Sequence, residues 1–464
     1  MDGSSRMSDI GGGLMPEERL IPQPERWSRS RLLTLACLAL ANAGEAVEVL
    51  SAGIIMQRAT SNVAVQTTIA AAVFVGMLLG GLLSGAAADA FGRAKVLRTA
   101  LLLATIAAAA AAASPNAIIL VCCRLLAGTG VGAATPPLFA LASEVAPHGR
   151  SGPPIVAVAS AWTAGQMATA GLALLILGEA GEKAPPTWDW DARWRTFALV
   201  ASLVPASATG AAYCIVRDPR AINGSPVLRT ANARPLRALR RVYVNMLRSA
   251  AVRRMLLPLA VVWFGLNFGY YGMSTWVTVL LINSGVKGAY YVSLLYAAAQ
   301  LPANLGAMVL VDKMGRRPLL VFAIGLTGAS ALGVGGLIYW GGRRELLILS
   351  ICSFGAFSTA GWNALNCLSA EGFHGSVRAT AFGLLTVTGR VGSIIAQVVN
   401  GSLSHHVTVL LLVTTACLVV SCGGALSIPT SNVAVKDHER DDSSGSSPVS
   451  ERSDEGDTRE SRVS

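Results

Sequence analysis

Gly85-Ala-Ala-Ala-Asp89-Ala-Phe-Gly92-Arg93-Ala-Lys95 closes one apolar run and opens the next. Each run is long enough to cross a hydrocarbon core of about 30 Å. The stretch sets a carboxylate at a helix end, then a glycine that permits a tight turn, then two basic residues. The same order returns at Asp312-Lys-Met-Gly315-Arg316-Arg317, again between two apolar runs. A second pair follows: Ser143-Glu144-Val-Ala-Pro-His-Gly-Arg150 is echoed by Ser369-Ala-Glu371-Gly-Phe-His-Gly-Ser-Val-Arg378. Two matched pairs at equivalent positions mark an internal repeat, two halves of one chain related by an axis along the membrane normal.

Working outward, apolar runs punctuated by charge predict spans near 32–57, 64–88, 96–113, 116–142, 152–178 and 194–216. Six more fall near 255–282, 288–311, 318–340, 345–369, 377–402 and 406–427. Only 14% of the 464 residues are charged and 53% are hydrophobic, against about 25% charged in a soluble domain. Lipid is therefore the solvent, which excludes most soluble enzyme folds. The net charge of +11 matters through its placement. The 217–254 segment holds ten Arg and one acid, Asp218, and basic loops mark the cytoplasmic side, so no nucleic-acid partner is expected. This segment divides the chain into a 32–216 bundle and a 255–428 bundle. Residues 1–31 read as a disordered cytoplasmic N-terminal segment without a secretory signal, and 429–464 as a disordered cytoplasmic tail. Both termini are expected in the cytoplasm. The eight cysteines sit in or beside apolar runs without metal-ligand spacing, so they read as small hydrophobes and no metal is expected.

Charges inside the spans carry the chemistry. Ala41-Asn42-Ala-Gly-Glu45-Ala-Val-Glu48 in span 1 places two glutamates three residues apart, on one helix face near mid-membrane. Two adjacent buried carboxylates cannot both ionise cheaply, so one is expected to bind a proton. Arg124 lies well inside span 4 and is the expected partner of the other. Glu45, Glu48 and Arg124 form the candidate proton-coupling group; a purely structural hydrogen-bonding role is the alternative. Span 7 carries Trp263-Phe-Gly-Leu-Asn267-Phe-Gly-Tyr270-Tyr271-Gly272, aromatics and glycines able to line a cavity. Span 11 carries Thr388-Gly389-Arg390-Val-Gly392-Ser393, whose guanidinium suits a carboxylate.

The Asp89 to Lys95 stretch resembles the signature loop of the major facilitator superfamily, and the likeness extends over roughly residues 30–428. By that resemblance Asp89, Arg93, Asp312 and Arg316 belong to an interspan charge network that gates, with Glu144, Arg150, Glu371 and Arg378 at the echoed loops. Arg124-Leu-Leu-Ala-Gly128-Thr-Gly130-Val-Gly132 is similar to span 4 of the sugar-porter and organic-ion branches. The Glu-Ala-Val-Glu of span 1, the span 7 cluster and Ser376-Val-Arg-Ala-Thr-Ala-Phe-Gly383 look like the synaptic-vesicle-protein-related and organic-ion branch. The sugar-porter hallmarks fit less well: Arg217-Asp-Pro-Arg220 is a degenerate form of their loop, and their paired glutamines of span 7 are missing. In the organic-ion branch an Arg near position 390 is similar to what anion carriers show, so the resemblance points to an organic anion, such as the small aromatic carboxylate nicotinate.

The resemblance implies an all-α membrane fold of twelve transmembrane helices in two pseudo-symmetric six-helix bundles. It implies a secondary transporter working by alternating access; the paired span 1 carboxylates point to proton coupling, and no cofactor is expected. Asn42, Gln166, Asn267, Tyr270, Tyr271, Asn363 and Arg390 are the candidate solute contacts, and Trp162 and Trp362 can flank a solute. A facilitative sugar or organic-cation carrier stays open, as does a transport-inactive receptor or trafficking protein with the same fold. No nucleophile-base set or phosphate loop points to an enzyme. The expected partners are a small-molecule solute and the lipid bilayer of a plasma or vesicle membrane, with the chain acting as a monomer.

Overall fold

A computed structural model describes residues 27–145, 152–178, 192–217, 248–373 and 375–429, apart from the side chains of 85, 86, 89, 90, 152, 153, 251 and 375–379. Arg150 and the side chains of Asp89 and Arg378 thus lie outside the described residues. So do the tail beyond residue 429, almost all of the N-terminal segment and most of the 217–254 linker.

The described residues form thirteen helices: α1 (Arg29–Ala59), α2 (Val63–Phe91), α3 (Arg93–Ala112), α4 (Ala117–Val145), α5 (Gly152–Leu177), α6 (Arg193–Ile215), α7 (Ala250–Asn283), α8 (Ala289–Ala298), α9 (Gln300–Met314), α10 (Arg316–Tyr339), α11 (Arg344–Glu371), α12 (Gly375–Ser402) and α13 (Val407–Leu426). Counting α8 with α9 as one, twelve are long and apolar enough to cross a membrane. The eighth span, expected as one helix, is interrupted at Ala299. Ala299 keeps right-handed helical angles, φ −62° and ψ −19°, so the interruption is local; Pro302 beside it lacks the N–H that would bond the Ala298 carbonyl, which removes one rung of the ladder.

Helix starts follow local chemistry. The Asn62 side chain accepts from the Ala64 and Val65 amides, and Ser28 and Ser249 cap α1 and α7 in the same way. Such caps satisfy amides that have no partner within the helix. Between α2 and α3 the only residue is Gly92, at φ 93° and ψ 140°; between α9 and α10 it is Gly315, at φ 86° and ψ 158°. Both lie in backbone territory that a side chain would oppose. The echoed sequence stretches are therefore also echoed backbone turns.

The two halves pack by one pattern. In the first, α1 lies against α5 and α6, α2 against α4, and α3 against α4 and α6. In the second, α7 lies against α12 and α13, α9 against α11, and α10 against α11 and α13. The halves meet where α2 faces α12, α5 faces α8 and α1 faces α7. This is the arrangement of two pseudo-symmetric six-helix bundles. Central α7 has 72% of its most apolar stretch buried, whereas peripheral α13 has 33%. Outward leucines and isoleucines such as Leu175 and Ile118 are exposed, as hydrocarbon allows.

Apolar side chains gain little by leaving lipid for a protein interior, so helix contacts in lipid rest on close approach and hydrogen bonds. The α2–α4 seam shows it: a methyl group at Gly128 would meet the Val73 main chain, and one at Gly132 that of Met77. Hydroxyls within the helices return their hydrogens to backbone carbonyls four residues back, as at Thr129, Thr209 and Thr414. Each of these three hydroxyls thereby has an acceptor within its own helix.

Candidate functional site

Asn42, Glu45, Glu48 and Ser51 are all buried along one side of α1. Asn42 commits both amide hydrogens to α5 carbonyls, Val158 O at 2.8 Å and Ala159 O at 3.4 Å, which ties α1 to α5. The two glutamates part company above it. Glu48 meets Arg124 of α4 with 3.4 Å between Oε2 and Nη1, and the same Nη1 donates to Ser51 Oγ at 3.3 Å. Both residues of the ion pair are almost wholly buried. Among the described residues Glu45 has no ion pair. Its Oε2 lies 3.1 Å from Thr135 Oγ1, and its Oε1 is buried without a hydrogen bond. The sequence left open which glutamate Arg124 engages, and the structure assigns it to Glu48.

Across the bundle axis, the half-buried Arg390 of α12 sets its guanidinium 5.4 Å from the centre of the Tyr271 ring. Its Nη1 is buried and has no hydrogen-bond partner. It interacts electrostatically with Glu45 but, among the described residues, forms no ion pair with it. Phe74 of α2 and Trp162 of α5 meet Tyr271 edge-on at 5.2 and 6.1 Å. Trp362 of α11 does so at 6.3 Å, and its indole N–H is also buried without a partner. Two donors without a hydrogen-bond partner, on Arg390 and Trp362, therefore adjoin a single aromatic cluster, where they can engage a polar group that enters.

Tyr270 serves the neighbouring network. Its hydroxyl accepts from Trp162 Nε1 at 3.0 Å and has two acceptors at 3.3 Å, Gln166 Oε1 and Gln300 Oε1. One phenolic hydrogen can serve only one of these at a time. Asn267 donates to Trp263 O at 2.7 Å and accepts from Ser393 at 3.3 Å, joining α7 to α12. Asn363 donates to Asn304 at 2.7 Å, which donates to Ser160 at 2.9 Å. Of the seven candidate contacts, Tyr271 and Arg390 border the unsatisfied cluster; Tyr270 and Gln166 adjoin it. Asn42, Asn267 and Asn363 link helices.

Among the described residues, the predicted gating side chains Arg93, Glu144, Asp312, Arg316 and Glu371 form two clips of one kind. Arg93, at the start of α3, pairs with Glu144 near the end of α4. Arg316, at the start of α10, meets Glu371 at the end of α11 at 3.1 and 3.3 Å, and Asp312 at 3.6 Å. Each half thus clips its third and fourth spans together with the residues of its two echoed stretches. Two further clips escaped the sequence reading. Arg98 donates to the Ala212 and Val216 carbonyls, and Arg317 to those of Ala425 and Leu426. These cations serve the carbonyls that end α6 and α13, where helix dipoles favour positive charge.

At the opposite end the halves clasp each other. Arg58 Nε donates to Tyr290 Oη at 2.9 Å, Tyr290 donates to Gln57 Oε1 at 2.8 Å, and the Arg58 guanidinium lies 5.6 Å from the same ring. Gln57-Arg58, polar residues ending an apolar run, were the available signal; their partner in α8 was beyond any local pattern.

Against this geometry, residues 33–397 match the family described as Major Facilitator Superfamily. The chain is 29% identical over 342 residues to the niacin transporter NiaP of Acinetobacter baylyi, covering 70% of this chain and 75% of that protein. It is 29% identical over 351 residues to solute carrier family 22 member 7 of Sus scrofa, covering 70% and 60%. The crystal structure of a D-xylose-proton symporter superposes with a TM-score of 0.70 at 16% identity, covering 87% of this chain and 98% of that one, a likeness of fold alone.

Proposed function

The chain belongs to the major facilitator superfamily, a multi-pass membrane transporter rather than an enzyme, and from that premise we propose that it carries a small aromatic carboxylate, driven by protons, by alternating access. The observation that carries this reading is the Arg390 guanidinium, set against Tyr271 with a buried N–H that nothing in the protein uses. A carboxylate matches that fork in charge and shape. The Trp362 N–H borders the same ring and supplies a second donor. Phe74, Trp162 and Tyr271 offer ring edges and faces to an aromatic body. That the relative from Acinetobacter baylyi is named a niacin transporter supports nicotinate as the first solute to try.

Alternating access follows from the two ends. Opening at the Arg58 end breaks the Arg58–Tyr290–Gln57 clasp between the halves. The Arg93–Glu144 and Arg316–Glu371 clips lie within each half, so they survive as each half moves as a body. Basic residues at the Arg93 end support a cytoplasmic position for that end and for both termini. The proton resides on one of the span 1 glutamates, and no cofactor is needed.

The test is uptake of radiolabelled nicotinate into proteoliposomes holding the full chain, with and without a pH gradient, against excess benzoate, nicotinamide, xylose or tetraethylammonium. Gradient-driven uptake blocked by benzoate but not by the three neutral or cationic competitors is the expected result. Uptake indifferent to the gradient ends the coupling claim, and competition by xylose or tetraethylammonium ends the anion claim.

A further inference from the structure

The buried charges in the middle of the bundle balance. Among the described residues they are Glu45 and Glu48 of α1, Arg124 of α4 and Arg390 of α12. The other helices packed on α1 bring no further charge to this level: α5 has none, and those of α3 and α6 lie at their ends. The α7 residues facing the centre are the phenols Tyr270 and Tyr271. Arg58 belongs to the clasp, 13 residues along α1 from Glu45, or about 20 Å at helical rise. A solute monoanion entering this set adds one uncompensated negative charge, which a low-dielectric interior tolerates poorly.

The geometry says which group answers. Glu48 already has Arg124 at 3.4 Å. Glu45 has only the distant Arg390 as counter-charge and a hydroxyl at 3.1 Å. That hydroxyl suits either protonation state. Thr135 Oγ1 has a second acceptor, Val131 O, at 2.9 Å, so it can donate to an ionised Glu45 or turn to Val131 and accept from a protonated one.

We propose that Glu45 is the counter-charge of Arg390 in the empty transporter, and that the solute carboxylate replaces it at the unpartnered Arg390 N–H as Glu45 takes up one proton. This rests on the anion-carrier reading and sharpens it: one proton accompanies each monoanion, the loaded centre is as neutral as the empty one, and Glu48 with Arg124 keeps its pairing throughout. Both states can cross between the two open forms, while a centre holding the proton alone or the anion alone carries a net charge and cannot.

Two measurements test it on the full chain in lipid. The first is equilibrium binding of radiolabelled nicotinate between pH 5.5 and 8.5. Binding linked to one proton weakens about tenfold per pH unit on the alkaline side. In Glu45→Gln, whose side chain is permanently neutral, the whole range is expected to change affinity by less than about twofold. A Glu45→Gln protein with the wild-type slope overturns the proposal, as does a wild-type slope of zero. The second needs no variant: one proton per monoanion makes uptake electroneutral, so a potassium diffusion potential set with valinomycin leaves wild-type uptake unchanged, and a potential-dependent rate overturns the stoichiometry. The parent reading fails differently, by nicotinate and benzoate neither binding nor moving at any pH.

Discussion

The α2–α4 seam permits a prediction with its own control. In Gly132→Ala the new methyl would sit 2.6 Å from Met77 Cα and still nearer its carbonyl oxygen. Non-bonded carbons settle at about 3.5–4.0 Å, so the helices must part by about 1 Å. The opposing atoms are main chain and cannot swing aside. Overpacking of this kind costs about 1–3 kcal/mol, and a rigid obstacle places it near the upper figure. Gly81→Ala lies on the same seam, yet its methyl would meet only Gly132 O at 3.6 Å, an ordinary contact. Both changes gain the same helix propensity, about 1 kcal/mol, so that term cancels when they are compared. Gly132→Ala should therefore be less stable than Gly81→Ala by about 3 kcal/mol, more than a hundredfold in the folded-to-unfolded ratio. Unfolding by SDS in mixed micelles, followed by tryptophan fluorescence, reads the difference. Two variants within about 0.5 kcal/mol of each other would refute the claim that these backbones touch.

Three other outcomes follow from the site. Arg124→Gln strands the buried Glu48 and should cost about 3–5 kcal/mol; adding Glu48→Gln should recover most of it in the same SDS titration, and a double variant no better than the single denies the pair its role. Tyr290→Phe keeps the ring but removes the hydrogen bonds to Arg58 and Gln57, one of them from a charged donor worth about 1.5–3 kcal/mol. Thr278 of α7 is buried against Ser293 of α8, three residues from Tyr290; labelling of Thr278→Cys by a membrane-impermeant maleimide should then quicken by about tenfold or more, and an unchanged rate means the clasp does not govern access there. Trp362→Phe preserves the edge-on packing and deletes one donor, so nicotinate affinity should fall about tenfold or more; a loss under twofold removes Trp362 from the binding surface.

Much of this architecture could be read from the chain because lipid is a strict solvent. It demands long apolar runs and punishes charge inside them, which exposes both the spans and the exceptions, Glu45, Glu48, Arg124 and Arg390. The echoed stretches were legible because a single glycine at positive φ must follow each helix, and its neighbours must meet one another across each half. What lay hidden depends on contacts between segments distant in sequence. Nothing local says that Arg124 meets Glu48 rather than Glu45, since both share a face. Trp162, Tyr270 and Trp362 come together only when the halves dock. Arg98 and Arg317 read as loop charges until the ends of α6 and α13 arrive beside them. Pro302 was visible, but Pro205 and Pro258 sit in helices that stay continuous, so proline alone did not mark the break.

That break has a mechanical consequence. It isolates α8 as a ten-residue rod, hinged beside Gln300 and tipped by Tyr290, the residue that Arg58 and Gln57 hold. The tip lies nine residues from Ala299, about 14 Å at helical rise. A tilt of about 10° at Ala299 moves the phenol by about 2 Å, enough to part hydrogen bonds of 2.9 and 2.8 Å. The expected outcome is an entrance that opens locally before the two bodies rock, with admission of solute and reorientation of the carrier measured as separate rates. Pro302→Ala, which welds the rod to α9, should slow equilibrium exchange of solute at that face.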